Sequence, residues 1–526
     1  MLPSSKRSSS SRERDLAPEG SPTVEDFKML ASLSLLPKPA WGLNRELQRE
    51  VQVAVKIIVS KEISATTVFG ALLTTRTVRH LVVHGAMPST HIMPDTIGAL
   101  ELHRVPDGNI GMPQHLHSLT LVLPQGMGSA YAAAYLTMLP ETVHSLALDA
   151  SYCQANWTDL ALPARLRTLQ LTHLCELPAL PASLTSIMLE SCLFESPVQL
   201  PPSLTEASLV RTSCHADNYT RTSMAVLGPG LRRLRLMEIR PTWAVHLLPL
   251  GLTDLHINYE GSNWGHRVPV ALTALPQSLQ TLMISSRFQI LQLTLSALPQ
   301  SLRTLDATRS IVFNTALGPL PEGLTHLSLG GKLEHALRSL PAGLTELRVD
   351  GTFNQPLGAL PPSLRVLDVN DCEYNLPLGR LPRTLRELRL GTAFNQPLLP
   401  LHTPLPAMQG QQAALPAHDA GLAEDPLQSV PDMTVLLPEA LTVLHVGEAF
   451  DHPLGRLPES LTELRVGDFS RHGHRDCCFS HTLGPLPAAL RILDLGVCAA
   501  YHHALGDLPD ALRELRLGGA FHQPLP

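Results

Sequence analysis

The densest group of reactive side chains lies in RHGHRDCCFSH, residues 471–481, where His472, His474, Cys477, Cys478 and His481 are all of the types that bind zinc. Structural zinc sites usually space their cysteines as C-x-x-C pairs, whereas here the two cysteines are adjacent, which is awkward for one tetrahedral ion. With 24 histidines in the chain, chance clusters of this kind are expected. The stretch is therefore read as carrying no metal, and no other cofactor is implied. Nucleophile chemistry has no better footing. Serine, histidine and aspartate are plentiful, yet there is no G-x-S-x-G elbow, no phosphate loop and no H-E-x-x-H pair. The expectation is a protein that is not an enzyme.

A different set of residues recurs too regularly to be background. The phrase L-P-x-x-L-x-x-L-x-L returns from Pro140 to Pro509 at steps of mostly 18 to 29 residues, with LGPGLRRLRL as a copy in which Gly228 takes the proline's place. Weaker copies start at Met93 and Met112, and TVRHLVV (77–83) is read as the first. In LTELRV, Leu347 and Val349 flank a charged residue, the two-residue period of a strand. A proline at one end, a glycine after the strand and often a second proline leave no room for a helix of ten residues. The return path should be extended or polyproline-like. One unit of about twenty residues cannot bury enough surface to fold alone, so layers must stack, with strands pairing in parallel about 4.8 Å apart. The fold class expected is a repeat solenoid, a leucine-rich-repeat-like parallel β-solenoid with a concave sheet and an extended convex side.

Charged side chains then fall at fixed positions on the outward face of the strands. The position between the last two aliphatic residues reads Asp306, Ser328, Arg348, Asp368, Arg389, His445, Arg465, Asp494 and Arg516; its neighbour holds Glu346, Glu387, Glu463 and Glu514. Opposite signs side by side avoid repulsion between adjacent strands, and the same lattice would serve to recognise a protein. Arg232, Arg233 and Arg235 cluster in an earlier layer, while Ser118, Thr120, Thr168, Gln170, Ser186 and Met188 form a neutral polar stretch. The candidate protein-binding residues are thus Arg233, Arg235, Glu346, Arg348, Asp368, Glu387, Arg389, Glu463, Arg465, Asp494, Glu514 and Arg516.

The layout is similar to leucine-rich repeats and resembles more closely the short FNIP-type repeat, whose unit joins an LPxSLxxLxxG half to FNxP and a leucine or isoleucine. Literal matches are Phe353-Asn354-Gln355-Pro356-Leu357 and Phe394-Asn395-Gln396-Pro397-Leu398, with FDHPL (450–454) and FHQPL (521–525) as variants and YNLPL (374–378) and FNTAL (313–317) as looser ones. Before about residue 310 only the LPxxL half continues. Many FNIP proteins carry an F-box before the repeats, which would imply a substrate-recognition adaptor of a ubiquitin ligase recruited through residues 23–74. No F-box signature is recognisable in that segment. Phe353, Phe394, Phe450 and Phe521 should form a stacked spine on the convex wall. Asn354 and Asn395 should bond turn backbone.

Cys192, Cys372 and Cys498 each fall eleven residues after an anchoring proline, where leucine-rich repeats commonly place a buried Asn, Cys or Thr. That regularity argues for buried free thiols rather than disulfides, which suits a reducing compartment. Ahead of the repeats, residues 1–22 read as a solvated disordered tail. Residues 23–74 read as a small α-helical N-terminal cap, with Thr23 and Asp26 as a capping box and Asn44 opening a second helix through VAVKIIV. Repeats would occupy 75–398 and 437–526, interrupted by a Pro/Ala/Gln-rich flexible insertion at 399–436. A net charge of -6 gives no basic field for nucleic acid, and no apolar run of about 18 residues marks a membrane span. A cytoplasmic setting is expected, or a nuclear one if SKRSSSSRER is an address. The partner expected is a protein, and the open edge at Leu525-Pro526 offers self-association as a further contact.

Overall fold

The computed structural model describes residues 55–59, 78–398 and 437–525, apart from short stretches within the last two ranges. The chain divides into two compact units, Met1–Leu171 and Thr172–Pro526.

In the first unit, strands Val55–Val59, Val78–Val83, Ala99–Leu102, Ser118–Val122 and Ser145–Asp149 pair in parallel, each with the next. Their register aligns Leu81, Leu100, Leu119 and Leu146 in one column, all buried. The first of these strands overturns part of the helical cap. VKIIV is a strand whose Ile57 and Val59 register with Leu81 and Val83, because an alternating β-branched run gains more from a parallel neighbour than from a helix. The rest of the expected cap, like the tail, lies outside the described residues.

The second unit carries fourteen strands of one continuous parallel ladder among its described residues, from Ser186–Glu190 to Glu514–Leu517. Strands Glu387–Leu390 and Val443–Val446 pair directly, so residues 399–436, outside the described residues, leave no break in the sheet. Burial alternates along most of these strands: Leu347, Leu367, Leu388 and Leu444 stack inside and the residues between them face out, while Asp494 is buried as well and Glu514–Leu517 is only half-buried to exposed.

Each conserved-looking letter of the phrase has a bond to make. The proline carbonyl accepts the N–H of the leucine three residues on, closing a tight turn, as in Pro341 with Leu344 and Pro361 with Leu364. The serine of L-P-x-S-L reaches back one layer, so that Ser363 Oγ donates to the carbonyls of Ala342 and Leu344. The threonine after the leucine does the same, Thr345 Oγ1 donating to Thr325 O at 2.9 Å. After the strand, Gly447 approaches Gly391 so closely that a Cβ on it would lie 2.0 Å from the Gly391 carbonyl oxygen.

The opposite wall is extended, as expected. Val268–Leu272, Leu291–Leu295 and Ile311–Val312 form a second small parallel sheet there, and Leu193–Phe194 pairs with Ser213–Cys214. From residue 353 onward an aromatic column takes over: Phe353, Tyr374, Phe394, Phe450, Phe479, Tyr501 and Phe521 stack with centroid spacings of 6.1 to 6.3 Å. Paired strands lie only about 4.8 Å apart. Equivalent points are therefore farther apart at the aromatic wall than at the sheet, so these layers fan out with the sheet on the inner side.

Candidate functional site

The outward positions of the second unit's strands place the sequence-predicted charges on one sheet face. Within a strand, Glu346 pairs with Arg348, Glu387 with Arg389 at 3.0 Å, Glu463 with Arg465 at 2.6 Å and Glu514 with Arg516 at 2.7 Å. Across layers, Arg389 Nη1 lies 3.9 Å from Asp368 and Arg516 Nη1 lies 3.4 Å from Asp494. His445 Nε2 meets Glu463 Oε1 at 2.8 Å. Burial would raise the Glu463 carboxyl, but the hydrogen bonds from His445 and Arg465 outweigh it and hold the group below its usual range. His445 is itself held below the ordinary imidazole value, chiefly by burial, against the pull of Glu463.

Register reveals an alternation that reading residues one column at a time conceals. ELRV, VLDV, ELRL, VLHV, ELRV, ILDL and ELRL follow one another from Glu346 to Leu517. Every second layer carries a Glu-Arg pair, and the layers between carry Val366, Val443 or Ile492 beside Asp368, His445 or Asp494. The aspartates have local work. Asp368 Oδ1 accepts the N–H of Asn370, and Asp494 Oδ1 that of Gly496, at 3.1 and 2.9 Å. Asp494 is fully buried, so of the predicted face residues it is the one withdrawn from solvent. Arg348 and Arg516 are exposed, while Arg389 and Arg465 are half-buried. Arg233 pairs with Glu206 at 3.0 Å and Arg235 stands beside His256, whose imidazole is lowered by burial and by that guanidinium.

On the far wall, Phe353, Phe394 and Phe450 are buried spine residues as expected, and Phe521 stacks at one end of the column. Sequence reasoning missed Phe479 and Tyr501, because FSHTL and YHHAL lack the Asn and Pro of the parent phrase. The signal that finds them is a leucine four residues after the aromatic, present at Leu483 and Leu505 as at Leu357. Beside the spine runs a column of polar acceptors, Asn354, Asn375, Asn395 and Asp451, each taking a backbone N–H from the following layer. His452, His481 and His503 sit edge-on against Phe450, Phe479 and Tyr501, their Nε2 atoms directed at backbone carbonyls of the preceding layer.

The cysteines divide. Cys192 and Cys372 are buried thiols, pushed up by burial to about 11 and about 12 respectively. Cys477 and Cys498 form a disulfide, Cα–Cα 4.4 Å, which corrects the expectation that Cys498 is a free thiol. Cys477 belongs to a layer of unusual length and enters beside the turn position of the next layer, a contact that spacing from the proline cannot show. Residues 471–476, with His472 and His474, lie outside the described residues.

No protein-family model matches the chain. No curated protein matches it in sequence. Among solved structures, YopM from Yersinia enterocolitica WA-314 is 22% identical with a TM-score of 0.49, covering 83% of this chain and 86% of that one. CroV588, described as a novel circular LRR protein, is 21% identical with a TM-score of 0.48 over 85% of this chain and 74% of its own. YopM from Yersinia pestis is 18% identical with a TM-score of 0.33 over 60% of this chain and 78% of its own. On its own strand register and turn geometry, the chain is a parallel β-solenoid resembling leucine-rich-repeat proteins.

Proposed function

We propose that the second unit binds a protein partner on its sheet face and catalyses no reaction. The observation that carries this reading is how each layer spends its residues. Leucines, turn proline, hydroxyls, post-strand glycine and aromatic are all committed to neighbouring layers. What differs from layer to layer is the outward pair of strand positions, where the charges stand. There the arginines are held by a neighbouring Glu, so their guanidinium forks are pre-oriented, and Val366, Val443 and Ile492 add apolar contact between them. Pre-orientation lowers the entropy lost when a partner docks. Among the described residues, no helix is long and apolar enough to cross a membrane.

Kinship with FNIP-type repeats belongs to this proposal, supported by the aromatic and leucine residues at fixed offsets from Phe353 to Leu525 and by the Asx residues from Asn354 to Asp451. The adaptor reading, recruitment of a ligase through residues 23–74, has less behind it, since Val55–Val59 within that segment serves as a sheet layer. The test replaces Arg348, Arg389 and Arg465 together by Glu and compares affinity capture from the native cell with that of the parent chain. Loss of a reproducibly captured protein with an unchanged circular dichroism spectrum is expected. Equal capture by both would end the proposal.

A further inference from the structure

We propose that Cys477 and Cys498 form a reversible thiol switch that locks two successive layers of the second unit together. Cys477 stands two residues before Phe479 and Cys498 three before Tyr501, and those rings are stacked neighbours at 6.1 Å. The bridge therefore ties adjacent rungs of the aromatic column.

Two observations favour a bond that opens and closes over a permanent one. The site already holds a partner for the reduced state. Cys498 Sγ lies 3.3 Å from the carbonyl oxygen of Val466 in the preceding layer, as Thr212 Oγ1 lies 3.1 Å from that of Leu189 in its own preceding layer, whereas Cys372 and Cys192 face carbonyls of their own layer. Breaking the bridge leaves Cys498 in the arrangement that the Thr212 layer uses as its ordinary state. The second observation is that the two layers are joined without the bridge. Leu464 pairs in register with Leu493, and Arg491 and Ile492 both donate to the Thr462 carbonyl, so the reduced form keeps its fold.

The chemistry balances with a small-molecule disulfide such as oxidised glutathione. The two protein thiols give up two protons and two electrons as the Sγ–Sγ bond forms, and the glutathione S–S bond breaks to give two glutathione thiols. Linking residues 21 apart in sequence restricts the opened state and should reduce opening of these layers about a hundredfold. Arg465 and Asp494 lie on the strands beside the bridge, so the switch would set how firmly that part of the sheet face is held; this consequence alone rests on the binding reading.

The full chain is incubated with excess oxidised glutathione and then with dithiothreitol, without denaturant. Thiols are alkylated and mapped by mass spectrometry, and amide hydrogen exchange over residues 487–519 is followed in both states. A Cys477–Cys498 linked peptide should appear with the oxidant and vanish with the reductant, and exchange should quicken about a hundredfold on reduction. Cys498→Thr, which places at this turn the residue found at Thr212, should fold and lose the response. Cys477→Ser is the second variant, removing the bridge while leaving the Cys498 thiol on its carbonyl. The proposal is overturned by absence of the linked peptide, by a link that resists the reductant until the chain is denatured, by Cys478 in the link, or by an unchanged response in both variants. A persisting response in a chain whose arginine-to-glutamate variant still captures partner would retain the switch and discard the binding face.

Discussion

The side-chain Oδ1 of Asn354 accepts the backbone N–H of Asn375, one layer further on, at 3.0 Å. Asn375 Oδ1 does the same for Asn395 at 2.8 Å and also accepts from Gln396 Nε2 at 3.2 Å. A polar residue beside the spine thus serves the layer that follows it and not its own turn. Asn375→Ala should cost about 1 kcal/mol, since water reaches the orphaned amide. Asn375→Asp, which keeps the acceptor as Asp451 does, should cost less than half as much. Urea denaturation of the two variants checks the order.

The aromatic column sets a second expectation. Phe394 is fully buried between Tyr374 and Phe450, so Phe394→Ala should destabilise by about 3 to 5 kcal/mol. Tyr374 keeps its hydroxyl on the Pro377 carbonyl at 3.3 Å, which shows that the column tolerates a phenol. Phe394→Tyr should therefore cost less than about 1.5 kcal/mol. Thermal unfolding distinguishes the two.

Glycines separate backbone strain from crowding. Gly379 has a φ of +69° and nothing within 4 Å of a Cβ built on it, so Gly379→Ala should cost about 1 kcal/mol of conformational strain alone. Gly447→Ala meets the Gly391 carbonyl and must push two layers apart, so it should cost more than the Gly379 change, at about 3 kcal/mol. Equal effects would show that the layers do not pack as closely as described.

Acid should loosen the face at His445 and Glu463. Both groups have folded values below their ordinary 6.5 and 4.5, His445 first by burial, Glu463 by the bonds that outweigh its burial. A lowered value means stability that is present above the ordinary value and lost as pH falls through the folded one. Stability should therefore decline in two stages, below pH 6.5 for His445 and below pH 4.5 for Glu463. Glu463→Gln should flatten the second stage, as followed by melting temperature between pH 7 and pH 3.

How much of this was legible in the residues follows from which contacts are local. The tight turn and strand of each layer are local, and L-P-x-x-L-x-x-L-x-L announces both; Leu347 and Val349 fall on the core side where the two-residue period puts them. Asn354 was readable as a backbone-bonding residue, but not that its partner sits 21 residues later. Cys477 and Cys498 meet only because layers stack, so no spacing within one unit reveals them. Val55–Val59 was misread because a short apolar run suits either a helix or a strand until a neighbour is present to pair with it.

For the binding proposed on the sheet face, the unequal spacing of the two walls has a consequence. Where the rings stand, they act as shims on the outer rim, and the radius of the inner surface is set by side chains that a docked protein would never touch. Swapping one bulky ring for a small residue would flatten the arc locally and shift the arginines apart. Specificity could thus be tuned from behind, with every residue in the contact zone left untouched.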